Sequence, residues 1–293
     1  MKPRSHVRWL APVTALGLTM VLAACPARPP RTTTTTTTYD PTAPTTEPTE
    51  PGEGSLPDAA VEGNGPFAVT VDGNAGAGST VFRPTNLGQG GVKHPIFVWG
   101  TGATSTPAQY RDHFSRMASH GFVIISPNTG SVTAGRLTQS LNWIVAQNSA
   151  AGIYNGKLNT SKIAMGGHSL GSTSTFDAER TATNLTTTIH IAGGSFDGQG
   201  SSKVKTPTAY ICGSTDFALT NCQRDYQNMR AGGQPLFFSV MQGVDHIQAA
   251  RRALPAMIAW LRWHLAGENR KAEFSPGGKF FSGIFRSQVK NWN

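Results

Sequence analysis

Residues 162–171 read KIAMGGHSLG, and this stretch decides the fold class. Its first half is a short apolar run typical of a buried strand, and residues 170–180 have the pattern of a helix. Ser169 is therefore predicted at a tight strand-to-helix turn, where flanking glycines let the backbone pass closely and the hydroxyl projects outward. Amide groups at the start of such a helix point towards any anion that forms beside the serine. Because the chain contains 33 glycines, a glycine-rich turn without chemistry is the alternative.

Short apolar runs alternate with helical patterns on both sides of this stretch. The predicted strands are residues 67–72, 80–83, 95–100, 122–126, 162–166, 187–192, 208–212 and 236–241. Helices are predicted from Thr106-Pro107, over 135–148, over 170–180 and over 246–266, with Gly267 ending the last one and Pro255 inside it. The first two strands are close enough for a hairpin. The whole pattern predicts an α/β domain whose mostly parallel sheet is covered by helices on both faces.

His246 is the candidate base for Ser169, whose hydroxyl is a weak nucleophile unless a base takes its proton. It follows strand 236–241 through a short loop and precedes the last helix. Of the other seven histidines, four lie upstream of the serine, and the remaining three lie at the variable position of its motif, inside the predicted strand 187–192 and on a helix.

Asp216 is the candidate acid that orients this base, because it follows strand 208–212 through a short turn. Asp197 also follows a strand and remains the alternative. Asp225 is expected inside a helix, and Asp245 is too close in sequence to His246 to orient it readily.

The three cysteines suggest one disulfide. If Cys25 is used elsewhere, Cys212 and Cys222 form a pair, and a disulfide is the default in an oxidising compartment. Two free buried thiols are the alternative. A bridge would hold the loop of Asp216 at both ends.

Two backbone amides are candidates for stabilising an oxyanion. One belongs to Leu170, the residue after the serine. The other lies in the loop WGTGA at 99–103, where Ala103 is favoured and Thr101 is the alternative. This loop lacks the third glycine of a dinucleotide fingerprint, so its glycines favour a tight turn or an oxyanion site.

The N-terminal sixty residues differ in composition from the rest. Residues 1–25 have a basic start, an apolar stretch and small residues before Cys25, which predicts a secretory signal peptide. Leu22-Ala23-Ala24-Cys25 resembles the lipobox of bacterial lipoproteins, in which the cysteine carries lipid; an ordinary signal peptide is the alternative. Residues 26–60 are rich in Thr and Pro and predict a disordered tether that reaches roughly 100 Å when extended. We therefore expect a secreted protein held at the cell envelope.

The remaining residues, 61–293, suffice for one domain. The formal net charge is +9, but the positive residues are scattered. With export predicted, nucleic acid is not an expected partner, and attraction to anionic surfaces would be unspecific. We expect a monomer whose C-terminal stretch 271–293, with its five aromatic residues, packs on the domain.

From about Phe67 to Gly267 the chain resembles the lidless bacterial α/β-hydrolases that include cutinase-like polyester hydrolases. The matching segments are PIFVWGTGATSTPAQYRDHFSRMASHGFVIISPN, KIAMGGHSLGSTST, TPTAYICGSTD and VDHIQAARRALPAMIAWLRWHLAG. The resemblance implies an α/β-hydrolase fold and an esterase that acts by acyl transfer without metal or cofactor. It implies Ser169, Asp216 and His246 as the triad, with Ala103 and Leu170 as oxyanion donors.

The chain departs from those polyester hydrolases at three positions. They carry an aromatic residue at the Ala103 position, a Trp after the strand that here ends in Ala192, and an aromatic residue where His168 stands. Phe196 is the remaining candidate for an aromatic wall. Thr101 and His168 are further candidates for substrate contact, although packing or hydrogen bonding suits His168 better.

The connection from Ala192 to Thr208 is about fifteen residues long, too short for a lid domain. An open site suits bulky or polymeric esters. The expected function is a secreted serine ester hydrolase, cutinase-like or polyesterase-like. The alternatives are an acetyl or feruloyl carbohydrate esterase, a short-chain carboxylesterase, and a non-catalytic envelope-binding lipoprotein that retains the fold.

Overall fold

The computed structural model describes residues 54–229 and 233–292. The predicted signal peptide, Cys25 and most of the predicted tether lie outside these residues. Residues 54–60, assigned by composition to the tether, contact the domain: Leu56 packs against the core, and the Pro57 carbonyl accepts a hydrogen bond from Arg262. No helix in the described ranges is both long enough and apolar enough to span a bilayer.

The centre of the described domain is a nine-stranded sheet with the order β1-β2-β4-β3-β5-β6-β7-β8-β9. The strands are β1 Val69–Gly76, β2 Ser79–Pro84, β3 His94–Gly100, β4 Val123–Pro127, β5 Leu158–His168, β6 Thr187–Ile191, β7 Thr208–Gly213, β8 Leu236–Met241 and β9 Phe285–Lys290. Strands β3 to β8 are parallel, while β1 and β2 form an antiparallel hairpin that pairs with β4. The predicted mostly parallel sheet with an antiparallel start is confirmed.

Helices cover both faces of this sheet. They are α1 Arg111–Ser119, α2 Ala134–Gln147, α3 Leu170–Glu179, α4 Gly200–Lys203, α5 Leu219–Asn228 and α6 His246–Ala266. Alternation along each strand sends Phe97 and Trp99 of β3 towards α1 and α6, and Ile96 and Val98 towards α2. The first predicted helix begins as a 3-10 turn, Pro107–Tyr110, and becomes α-helical at Arg111.

Strand β9 is a feature that the sequence did not predict. It pairs antiparallel with β8, from Leu236 opposite Lys290 to Met241 opposite Phe285. The Lys290 ammonium donates to three carbonyls at the end of α5, including that of Tyr226 at 2.6 Å. The C-terminal stretch therefore packs on the domain, as expected, and also covers the open edge of β8.

The connection between β6 and β7 contains only the four-residue helix α4. No lid domain covers this part of the described structure. Since parallel strands have their carboxyl ends at one edge of the sheet, the residues after β3, β5, β6, β7 and β8 meet there.

Candidate active site

Ser169 lies at the turn between β5 and α3 in a strained conformation, with φ 55° and ψ −119°. Its amide donates to the Ile191 carbonyl at 2.9 Å, which ties the turn to β6. Two glycines make this turn possible. A Cβ on Gly171 would lie 2.0 Å from the Gly100 carbonyl oxygen, and a Cβ on Gly167 would lie 2.2 Å from the Gly171 carbonyl carbon. The α3 backbone therefore passes directly against β3, which holds the serine at the edge of the sheet.

Three side chains that are far apart in sequence meet at this turn. His246 Nε2 lies 2.8 Å from Ser169 Oγ, and His246 Nδ1 lies 2.7 Å from Asp216 Oδ1. The Asp216 side chain is fully buried and also accepts the Ala218 amide at 2.8 Å. A carboxylate can only accept here, so Nδ1 carries the proton and Nε2 is left to accept from the serine hydroxyl. This geometry can deprotonate Ser169.

The other candidate acids lie elsewhere. Asp197 is half-exposed and accepts from the Lys203 ammonium at 3.0 Å. Asp225 lies in α5 and binds the Ser195 amide, while Asp245 caps the start of α6. The structure brings Asp216, and none of these three, to the imidazole of His246.

Hydrogen bonds hold the loop after β3 in a fixed position. The buried Thr101 uses its hydroxyl to donate to the Ser105 carbonyl at 2.9 Å, and the Thr104 amide donates to the Gly130 carbonyl at 2.7 Å. Ala103 is exposed, and within the described residues its amide has no acceptor. The Ala103 amide, together with that of Leu170 at the start of α3, is therefore available to an oxyanion.

His168 is buried beside the serine, with both ring nitrogens engaged inside the protein. Nδ1 lies 2.7 Å from the Tyr110 hydroxyl, and Nε2 lies 2.9 Å from the His246 carbonyl oxygen. Burial lowers the pKa of His168 to about 4, so the ring is neutral near pH 7. These contacts leave neither nitrogen for a substrate.

The disulfide joins Cys212, at the end of β7, to Cys222 in α5, as the sequence predicted. Both cysteines are fully buried. The bridge encloses the turn that carries Asp216 and ties that turn to the sheet. Among the described residues, no group of three or more His, Cys, Asp or Glu is placed to hold a metal ion.

Residues 40–288 match the model of the PETase family, described as PET hydrolase-like. The chain belongs to this PET hydrolase-like family. It is therefore an ester hydrolase of the α/β-hydrolase superfamily, as the sequence resemblance implied. A search of curated proteins gives no significant match to this chain.

Exposed apolar side chains flank the candidate triad of this family member. Within the described ranges four large apolar side chains are exposed, and two of them directly follow triad residues: Phe217 is 81% exposed and Ile247 80%. The Phe217 ring lies 4.0 Å from the His246 ring, centroid to centroid. Phe196, the aromatic residue that the sequence singled out, is also exposed, on the loop after β6. The sequence reasoning missed Phe217 and Ile247, although their positions directly after Asp216 and His246 were a usable signal.

Proposed function

We propose that the protein is a secreted serine ester hydrolase that cleaves accessible esters with apolar chains, including polymeric ones. The observation that carries this proposal is the continuous hydrogen bonding from Asp216 through His246 to Ser169, at 2.7 Å and 2.8 Å. Membership of the PET hydrolase-like family supports the same reaction class.

In the proposed reaction His246 Nε2 takes the hydroxyl proton as Ser169 Oγ attacks the acyl carbon. The amides of Leu170 and Ala103 hold the resulting oxyanion, and Asp216 stabilises the imidazolium. His246 then gives its proton to the leaving alkoxide as the ester C–O bond breaks. Water attacks the acyl-enzyme by the reverse sequence and releases the carboxylic acid.

The substrate class follows from the surface around the serine. Phe217 and Ile247 expose apolar area next to the triad, and no lid covers them in the described structure. Exposed apolar side chains that cluster at a site favour an apolar ligand or surface. We therefore assign the apolar contacts of the substrate to these two residues, with Phe196 as a third.

Labelling with a fluorophosphonate probe tests the nucleophile. The wild-type protein should be labelled and should hydrolyse p-nitrophenyl acetate, and Ser169→Ala should do neither. Ser161→Ala, an exposed serine at the start of β5, is the matched control and should behave like the wild type. An unlabelled, inactive wild type would leave the envelope-binding alternative.

Polymer hydrolysis tests the substrate class. Burying a side chain of the size of Phe or Ile contributes about 1.5–3 kcal/mol, so Phe217→Ala and Ile247→Ala should each lower hydrolysis of a polyester film by about tenfold or more. The turnover of p-nitrophenyl acetate, which is too small to cover these residues, should change little. Ile153→Ala is the control, because Ile153 is 50% exposed beyond the end of α2. Equal losses on both substrates would contradict the assignment.

Export and lipid attachment at Cys25 are part of the same proposal and rest on the sequence of residues 1–25. Mass spectrometry of the mature N-terminus should find a lipid-modified cysteine in the membrane fraction. Cys25→Ala should move the protein out of that fraction. An unmodified N-terminus at another residue would favour the ordinary signal peptide.

A further inference from the structure

Three consecutive hydrogen bonds form a continuous hydrogen-bond chain beside Ser169. The Gly102 amide lies 3.1 Å from the Tyr110 hydroxyl oxygen, and the same oxygen lies 2.7 Å from His168 Nδ1. His168 Nε2 lies 2.9 Å from the carbonyl oxygen of His246. This hydrogen-bond chain begins in the loop after β3 and ends at the first residue of α6.

The donors and acceptors fix the direction of this chain. The His246 carbonyl can only accept, so the proton of His168 lies on Nε2. The neutral ring then offers Nδ1 as an acceptor, and the Tyr110 hydroxyl donates to it. The lone pair of Tyr110 accepts from the Gly102 amide. Each donor therefore has one acceptor, and only one orientation of each side chain forms all three hydrogen bonds.

The two ends of the hydrogen-bond chain lie next to the groups that must be held close to the Ser169 hydroxyl for the reaction. Gly102 precedes Ala103, whose exposed amide is a candidate oxyanion donor, and the other end holds the backbone of His246. The middle member, His168, directly precedes Ser169. A Cβ on Gly102 would lie 3.1 Å from His168 Nδ1 and 3.6 Å from Ser169 Cβ, so the loop after β3 packs closely against the turn that carries Ser169.

We propose that Tyr110 and His168 are positioning residues. They hold the loop after β3, which carries the Ala103 amide, and the backbone of His246 in fixed positions around Ser169. The inference rests on the proposed function, because it assigns these two residues a role in that reaction. Neither residue hydrogen-bonds to the His246 ring nitrogens, which are paired with Ser169 and Asp216, although the His168 ring packs beside the His246 ring at 4.9 Å between centroids. Their effect is on geometry that the transition state needs, and displacements of about 1 Å in such geometry can cost about a hundredfold in rate.

Kinetics of Tyr110→Phe test this role. The variant keeps a ring that stacks on Phe114 at 5.6 Å, so it removes one hydroxyl and leaves the packing in place. We expect kcat on p-nitrophenyl butyrate to fall about 10- to 100-fold while KM changes less than about twofold. Tyr154→Phe is the matched control, since Tyr154 is equally buried and its hydroxyl donates to Asp72 at 3.0 Å. It should lower the unfolding temperature without lowering kcat.

Variants of His168 complete the kinetic test. His168→Phe removes both hydrogen bonds, whereas the amide of His168→Gln supplies one acceptor and one donor and should recover part of the lost kcat. If the two residues act through one chain, the double variant Tyr110→Phe/His168→Phe should lose about as much kcat as His168→Phe alone. Wild-type kcat in Tyr110→Phe, or additive losses in the double variant, would overturn the proposal.

A measurement that needs no activity separates this proposal from the proposed function. In ¹⁵N spectra of the histidine rings, His168 should appear as the neutral Nε2–H tautomer at neutral pH, and in Tyr110→Phe its Nδ1 signal should shift. A charged ring or an Nδ1–H tautomer would overturn the chain even if the enzyme is active. An inactive wild type with the expected tautomer would refute the proposed function and, with it, the positioning role, while the hydrogen-bond chain would stand.

Discussion

Replacing Asp216 by Asn removes one charge from the site and keeps the size of the side chain. The amide oxygen can still accept from His246 Nδ1 and from the Ala218 amide, the two partners that lie at 2.7 Å and 2.8 Å in the wild type. The fixed Ala218 donor favours this orientation over the flipped amide. The variant therefore isolates the contribution of the carboxylate charge to the imidazolium that forms in the transition state.

The size of the effect follows from the geometry. Charges about 4 Å apart at an effective dielectric constant of about 20 interact by about 4 kcal/mol. Since about 1.36 kcal/mol corresponds to a factor of ten in rate, kcat should fall about a thousandfold. The loss occurs in the transition state, so KM should stay the same.

Steady-state kinetics on p-nitrophenyl butyrate near neutral pH measure this loss, with the unfolding temperature as a check on the fold. Asp197→Asn is the matched control, because the half-exposed Asp197 binds Lys203 and lies outside the triad. It should retain wild-type kcat. A loss smaller than tenfold in Asp216→Asn, or an inactive Asp197→Asn, would refute the assignment of the acid.

Three further predictions concern stability. Replacing both Cys212 and Cys222 by Ser should lower the free energy of unfolding by about 2.7 kcal/mol in urea titrations, since the bridge closes a loop of about ten residues; an unchanged value would contradict this. Gly171→Ala should cost about 3 kcal/mol, because its Cβ would lie 2.0 Å from a β3 carbonyl, whereas Gly135→Ala, with 3.9 Å to its nearest neighbour, should cost nothing. Lys290→Ala should cost about 1 kcal/mol by thermal denaturation, because three carbonyls at the end of α5 lose their donor; equal stability would show that the cap is unimportant.

The central strands could be predicted from the sequence because each has its own apolar run. Strand β9 could not, since four of the six residues in its sequence FRSQVK are polar and none of its residues is buried. It is a strand because β8 offers an open edge, and that pairing joins residues about fifty positions apart. The short helix α4 lacked a signal for a similar reason, because four residues are too few to show a period.

The order of Ser169, Asp216 and His246 was predictable because each follows a strand, and parallel strands deliver such residues to one edge. The contact between Tyr110 and His168 was not, because it joins a 3-10 turn to a strand end 58 residues away. Its existence depends on how the turn after β3 packs, and no local pattern encodes that. His168 at the variable position of the motif was the one available signal.

The position of residue 54 bears on the proposed envelope anchor. The Gly54 amide donates to the Gly90 carbonyl, just before β3 begins, and Pro57 is held by Arg262 near the end of α6. Since α6 begins at His246 and runs away from the site, both contacts lie at the edge of the sheet opposite Ser169. The chain that precedes Gly54 thus joins the domain at the edge opposite the candidate active site.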